Sequence, residues 1–264
     1  MTTTRHPRDT SAVRHRPSCR CRGGVALDMG SARTRVWMAD RGLLADVPTV
    51  AFPGTGAVYP IQRGTILDPP ACARMLERLL GHRLPRLIRP LVVVTTPVLD
   101  GIAYRTAART AIEALRPRSV LTVPSARAVA VAAGADLSRP LLVIDIGAHV
   151  TEVVLLSDGA VIDARRTALG TSDLDTTPCA HISEAVVTMV TAMLRQDRTT
   201  LTVDALHTDV LLAGGGALRP EIIYHLTGRL RAPLRIVPAP HTAAVRGAAQ
   251  LLHAAHAHPS NSGF

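Results

Sequence analysis

The chain has 264 residues, 47% of them hydrophobic but only 2% aromatic, and a formal net charge of +10 in which all 30 basic residues are Arg. This length accommodates one large domain or two small ones with an ample core, and a core so poor in rings must be built from Val, Leu, Ala and Ile, as in α/β layers with buried parallel strands. No apolar run approaches the roughly 18 residues of a membrane span and no secretory h-region follows Met1, so a cytoplasmic location is expected.

Residues 1–22 carry six Arg, two His and two Pro against a single Asp. Such a segment cannot bury a core and reads as a disordered basic arm. Ordered chain is expected from Gly23. "GVALDMG" predicts a strand, "RTRVWMAD" a second strand folded back on it, and "GLLADVPTVAF" a third. "PGTGAVYPIQRG" is turn-rich and leaves no room for an element of its own. "PPACARMLERLLGH" predicts a helix opened by Pro69 and Pro70. The strand "PLVVVTTP" follows, then a helix from Asp100 whose apolar face is expected at Ile102, Ala103, Thr106, Ala107 and Ala111, the strand "SVLTV" and the helix "SARAVAVAAGA". These make a first lobe, 23–138.

The pattern then restarts. "PLLVIDIG", "TEVVLLSDG" and "GAVIDARRTAL" predict three consecutive strands. The helix "SEAVVTMVTAMLR", the strand "DVLLAG", the helix "GALRPEIIYHLTGRL" and the short strand "LRIVP" come next, before a closing helix "TAAVRGAAQLLHAAH". This second lobe is placed at 139–252, with 253–264 a disordered tail. Cys19, Cys21, Cys72 and Cys179 have no metal-ligand spacing and read as free thiols, and the His residues lack metal-binding partners at suitable spacing.

"VALDMGSARTRVWMAD" and "VIDIGAHVTEVVLLSD" are two copies of one design about 115 residues apart. Each is a buried strand, Asp-x-Gly, a few small or polar residues and a return strand. Two such hairpins can aim backbone N–H groups at one phosphate chain from opposite sides. An Asp before each turn could hold the water shell of a Mg²⁺ ion that neutralises the phosphates.

On these residues the chain resembles the actin-like ATPase superfamily, and within it the bacterial MreB/Mbl cell-shape proteins. The first hairpin, the Gly-x-Ile-x-Asp segment "PIQRGTILDPPACARML", the second hairpin, the Gly-Gly-Gly segment "DVLLAGGGALRPEI" and the closing "AVRGAAQLL" occur in order from about Gly23 to His253. The resemblance implies an actin-like α/β fold of two lobes, each a mixed sheet flanked by helices. It assigns nucleotide and phosphate contacts to Asp28, Gly30, Ser31, Arg33 and Thr34, to Asp145, Gly147, His149 and Thr151, and to Gly214, Gly215 and Gly216. It associates Mg²⁺ with Asp28, Asp68 and Asp145, and implies ATP or ADP as ligand.

The chain also departs from that pattern. Arg33 stands where the family has Asn, and Ala148-His149-Val150 where it has Gly-Gly-Thr. Val150 thus replaces the Thr that orients water, and Ser125 replaces the water-activating Glu, a far better base than a hydroxyl. Rapid ATP turnover is not expected. The outer subdomains are expected to be largely missing: 15 residues separate Pro48 from Gly64, and 39 separate Gly170 from Val210.

Leu87 and Ile88 between Arg86 and Arg89 fit an apolar loop tip for an anionic inner-membrane surface, or else a loop packed inward. The resulting expectation is a cytoskeletal or scaffold protein of cell-shape and wall synthesis, whose partner is a full-length homologue or other morphogenesis proteins. Two alternatives stay open: an active ATPase in which Arg33 or His149 takes a new role, and a basic nucleic-acid-binding module. The scarcity of aromatic rings argues against the last.

Overall fold

In the computed structural model the described residues are 23–257, apart from Thr55, residues 85–88 and Asp100. The basic arm, three of the four membrane-loop residues (Arg86, Leu87 and Ile88) and the last seven positions lie outside them; Arg89 is exposed. The first lobe contains β1 (Gly24–Met29), β2 (Arg33–Met38), β3 (Gly42–Pro48), the two-residue strands β4 (Ile61–Gln62) and β5 (Thr65–Ile66), α1 (Pro69–Leu80), β6 (Leu91–Thr96), α2 (Gly101–Ile112), β7 (Ser119–Pro124) and α3 (Ser125–Ala132). The second contains β8 (Leu141–Ile146), β9 (Thr151–Ser157), β10 (Ala160–Thr167), α4 (Cys179–Gln196), α5 (Leu201–Thr208), β11 (Val210–Ala213), α6 (Pro220–Leu230), β12 (Leu234–Ile236) and α7 (Ala243–Ala257).

The sequence repeat becomes a repeat of topology. One sheet runs β3-β2-β1-β6-β7 and the other β10-β9-β8-β11-β12. In each, the opening hairpin is antiparallel and the strands reached through helices add in parallel, since parallel neighbours need a crossover connection. The central strands "LVVV" of β6 and "LLVI" of β8 are buried along their length, so both faces of each sheet need cover. On one face of the first sheet, Leu27, Val36 and Val94 pack with Cys72 and Leu76 of α1 and Tyr104 and Ala108 of α2. On one face of the second, Ile144, Val153 and Leu212 pack with Ile182 and Val186 of α4 and Ile222 and Leu226 of α6.

The other two faces are covered by exchanged helices. Ala126, Val129 and Ala130 of α3, from the first half of the chain, pack on Leu141, Val143 and Leu211 of the second sheet. Val245, Ala248 and Leu252 of α7, from the second half, pack on Ala26, Leu91 and Val93 of the first. The two helices meet where a Cβ on Gly247 would stand 1.7 Å from the Ala128 carbonyl oxygen, so only glycine allows this approach. The boundary at residue 138 therefore divides the chain but not the packing. Helix α7 belongs to the first lobe's core and runs to Ala257, within one residue of the end read for "TAAVRGAAQLLHAAH", so that residues 253–257, grouped with the tail, are helical.

Three further expectations are corrected. The buried face of α2 is Tyr104, Ala108, Ala111 and Ile112, while Ile102 is 76% exposed. The phenol decides the rotation, because Tyr104 Oη donates to the Met29 carbonyl at 2.6 Å inside the core. The "PIQRG" stretch does form a hairpin, β4–β5, turned through Arg63 (φ 44°) and Gly64 (φ 77°), the left-handed pair that a two-residue β-turn needs. Helix α5, between the long α4 and β11, was not anticipated because its eight residues, "LTVDALHT", are too short to show a period.

Candidate functional site

The hairpins β1–β2 and β8–β9 face one another across a cleft of about 400 Å³, within the range of small-molecule sites. Their turns are built alike. Gly30 N–H donates to the Arg33 carbonyl at 3.0 Å, and Gly147 N–H to the Val150 carbonyl at 2.9 Å. Added Cβ atoms would sit 3.1 and 2.9 Å from those same oxygens. Among the described residues, the N–H groups of Ser31, Ala32, Ala148 and His149 have no backbone partner, so each turn leaves donors free for an anion.

Each Thr that follows its turn braces it. Thr34 is buried and bonds Thr49 at 2.9 Å, and Thr49 in turn donates to the Gly30 carbonyl at 2.7 Å. Thr151, also buried, donates to the Leu169 carbonyl at 2.8 Å. The second turn is pinned further, by Thr171 N–H on the Gly147 carbonyl and Ser172 N–H on the Ala148 carbonyl. A strap crosses the mouth of the cleft. Gly64 N–H donates to Ser31 Oγ at 2.9 Å, Arg63 reaches the Ala168 carbonyl at 2.6 Å and Asp173 at 3.2 Å, and Arg166 donates to the Arg63 carbonyl at 2.8 Å.

Besides Arg33, charge in the cleft is set by Asp28, Arg35, Asp145 and Glu152. Asp28 accepts from Thr95 Oγ1 at 2.8 Å through one oxygen and faces Arg35 Nη1 at 3.4 Å through the other. Asp145 is half-buried, and loss of solvation first, then the nearby Asp28 carboxylate, push it up to about 6, with Arg35 pulling the other way. Its neighbour on β11 is Ala213, which offers no hydroxyl. Glu152, 7% exposed, is pushed up to about 7 by burial and by Asp145, against Arg166 and the Val98 and Leu99 N–H groups. Burial raises a carboxyl because water no longer solvates the charged form.

The cleft brings together Asp28, Gly30, Ser31, Arg33, Asp145, Gly147, His149, Gly214 and Gly215, together with Ser125 and Val150. Thr34, Thr151 and Gly216 are not among the lining residues, and Arg33 stands at the edge of the cleft. Thr34 and Thr151 have turned their hydroxyls into the scaffold. Asp68 caps α1, accepting from Ala71 N–H at 2.8 Å, and is not among the residues lining the cleft. Arg33 lies along the rim with its Nε 2.5 Å from Asp46 and its guanidinium on the Asp46 carbonyl. Gly214 (φ 81°) presses on Ile146 and Asp145, where a Cβ would stand 2.3 and 2.4 Å from their oxygens, and Gly216 would strike the Ile146 side chain at 2.2 Å. Gly215 has open space beside it and borders the cleft.

Arg35, Glu152 and His241 also line the cleft and carry no assignment from the sequence pattern. The first two had a signal: each stands seven residues after its hairpin Asp and is that Asp's cross-strand partner. His241 follows β12 and had none.

The turns fit a phosphate chain, since glycine turns with free N–H groups converge from both sides. A divalent cation fits less well. Asp28 already accepts from Thr95 Oγ1 and faces the Arg35 guanidinium, so a divalent cation there would stand beside a fixed positive charge. No cluster suited to holding a metal ion occurs among the described residues, and none of their helices is long and apolar enough to cross a membrane.

The family model described as MreB/Mbl protein matches residues 53–185, just over half of the chain. Among solved structures, MreB5 of Spiroplasma citri bound to AMPPNP superposes with a TM-score of 0.80 at 15% identity, covering 92% of this chain and 99% of that one. Its ADP-bound form gives 0.77 at 15% identity, with 89% and 97% covered. A MamK double helical filament gives 0.71 at 13% identity, with 88% and 98% covered. The fold is that of the actin-like ATPases, and the chain belongs to the MreB/Mbl family.

Proposed function

We propose that this chain is a shortened MreB/Mbl-type scaffold that holds an adenine nucleotide weakly in the two-hairpin cleft and hydrolyses it slowly. The supporting observation is a cleft with an intact frame and altered chemistry. Gly30, Gly147 and Gly215 leave room for phosphates and a base, whereas Ser125 and Val150 border the same space without supplying a carboxylate or a hydroxyl suited to activating water. Nucleotide in such a site holds the lobes together rather than driving a cycle. The chain would then act by docking on a full-length homologue or other wall-synthesis proteins, at an anionic inner-membrane surface to which its +10 charge is attracted.

Calorimetry with ATP and ADP, paired with a phosphate-release assay, tests this. Micromolar or weaker binding with little release is expected. Release at the rate of a full-length family member measured alongside would overturn the scaffold reading in favour of an active ATPase, and an absence of binding would overturn the nucleotide.

A further inference from the structure

Arg35 has a cation's task but incomplete partners. Its side chain is only 14% exposed, inside the cleft wall, yet its contacts are long: 3.4 Å to Asp28 and 3.4 Å from Nε to Asp46. Its Nε is buried with no hydrogen-bond partner. A guanidinium carries five N–H donors and stays charged at any ordinary pH. Burying it with poor partners is unfavourable unless something else completes its shell. The anions that share its surroundings are Asp28, Asp46 and Asp145, with Glu152 as the cross-strand partner of Asp145. Arg33, the other cation of the first hairpin, is already held by Asp46 at 2.5 Å.

We propose that Arg35 is a built-in replacement for the divalent cation: its guanidinium neutralises Asp28 and carries the ligand's phosphates directly, so that this cleft binds nucleotide without Mg²⁺. The inference rests on the nucleotide reading above. It accounts for Asp28 already facing a fixed cation, with Thr95 Oγ1 donating to one oxygen and Arg35 beside the other, so that a hydrated metal would have to share the carboxylate with a guanidinium. A fixed guanidinium is present at every metal concentration and can meet phosphate through two parallel hydrogen bonds.

The test is ATP and ADP affinity measured by calorimetry on the full chain, once in EDTA and once in excess Mg²⁺. For the unaltered chain the two affinities are expected to agree within about threefold. In Arg35→Leu, affinity in EDTA should fall by about tenfold or more, the loss of one charge-assisted contact, and excess Mg²⁺ should restore part of it. Arg35→Lys, which keeps the charge and loses the fork, should lie between the two. Nucleotide binding that strengthens tenfold with Mg²⁺ in the unaltered chain overturns the inference without using any variant, as does an Arg35→Leu chain with undiminished affinity in EDTA. Binding that depends on Mg²⁺ removes this inference alone, whereas no binding in either condition removes it together with the nucleotide reading.

Discussion

The hairpins β1–β2 and β8–β9 share a backbone and differ in charge. Their turns close with the same Gly-to-carbonyl bond, and each is followed by a buried Thr. The cross-strand partner of the Asp is a cation, Arg35, in the first and an acid, Glu152, in the second. On the neighbouring strand, Asp28 finds the Thr95 hydroxyl where Asp145 finds Ala213. The first hairpin thus carries an internally neutralised carboxylate, while the second concentrates acids that burial drives toward protonation. Backbone geometry is held by steric demands that any phosphate-shaped turn imposes, whereas the charges are free to be redistributed.

The largest expected effect comes from removing what the second hairpin rests on. Gly214→Ala places a Cβ against Asp145 and the Ile146 carbonyl at a positive φ, and urea unfolding should show a loss of about 3 kcal/mol or more. The turn of the first hairpin is under less pressure, since Gly30→Ala meets only the Arg33 carbonyl, at 3.1 Å. Next is the acid pair. Glu152 is raised from 4.5 to about 7 and Asp145 from 3.8 to about 6. The native state therefore holds extra protons between the unfolded and folded values, and stability contributed by these groups falls as pH rises from about 4 to about 7. Glu152→Gln should flatten that slope and stabilise the chain at pH 8 by about 2 kcal/mol; thermal melts across pH measure it, and an unchanged slope would count against the assignment.

On the first hairpin, Thr95→Val leaves an Asp28 oxygen without its donor and should cost about 1–2 kcal/mol by the same unfolding assay. The smallest effect is expected at Arg33→Ala. That Arg33 side chain is 45% exposed in its pair with Asp46, and solvent screening should hold the change to about 0.5 kcal/mol. A large loss there would mean that Arg33, rather than Arg35, anchors the first hairpin.

The fold was legible because burial writes itself into sequence. Runs such as "LVVV" and "LLVI", and an Asp-x-Gly turn repeated after a buried strand, mark strand and turn without any tertiary knowledge. Rotations and exchanges were not legible. The α2 stripe was misplaced because the Tyr104 phenol had a partner 75 positions away at Met29. The lobe boundary was drawn by chain order, and nothing in "SARAVAVA" or "AAVRGAAQ" says which sheet each helix will cover. In the site, glycines and aspartates were recognisable by type, but Thr34, Thr151 and Asp68 were assigned by motif. Their oxygens were already claimed by Thr49, Leu169 and the start of α1. Arg35 and Glu152 were overlooked because a charged residue in a strand is ordinarily a solvated one.

The exchange of α3 and α7 has a consequence for the order in which the protein is made. A ribosome delivers β1, β6 and their outer helices early, but Ala26 and Val93 stay uncovered until Val245, Ala248 and Leu252 emerge near the end. The first lobe to be synthesised is thus among the last to be finished. A nascent chain stalled before Ala243 should bind a hydrophobic dye at that naked sheet face, and release it once α7 arrives to weld the two halves into a single cooperative body.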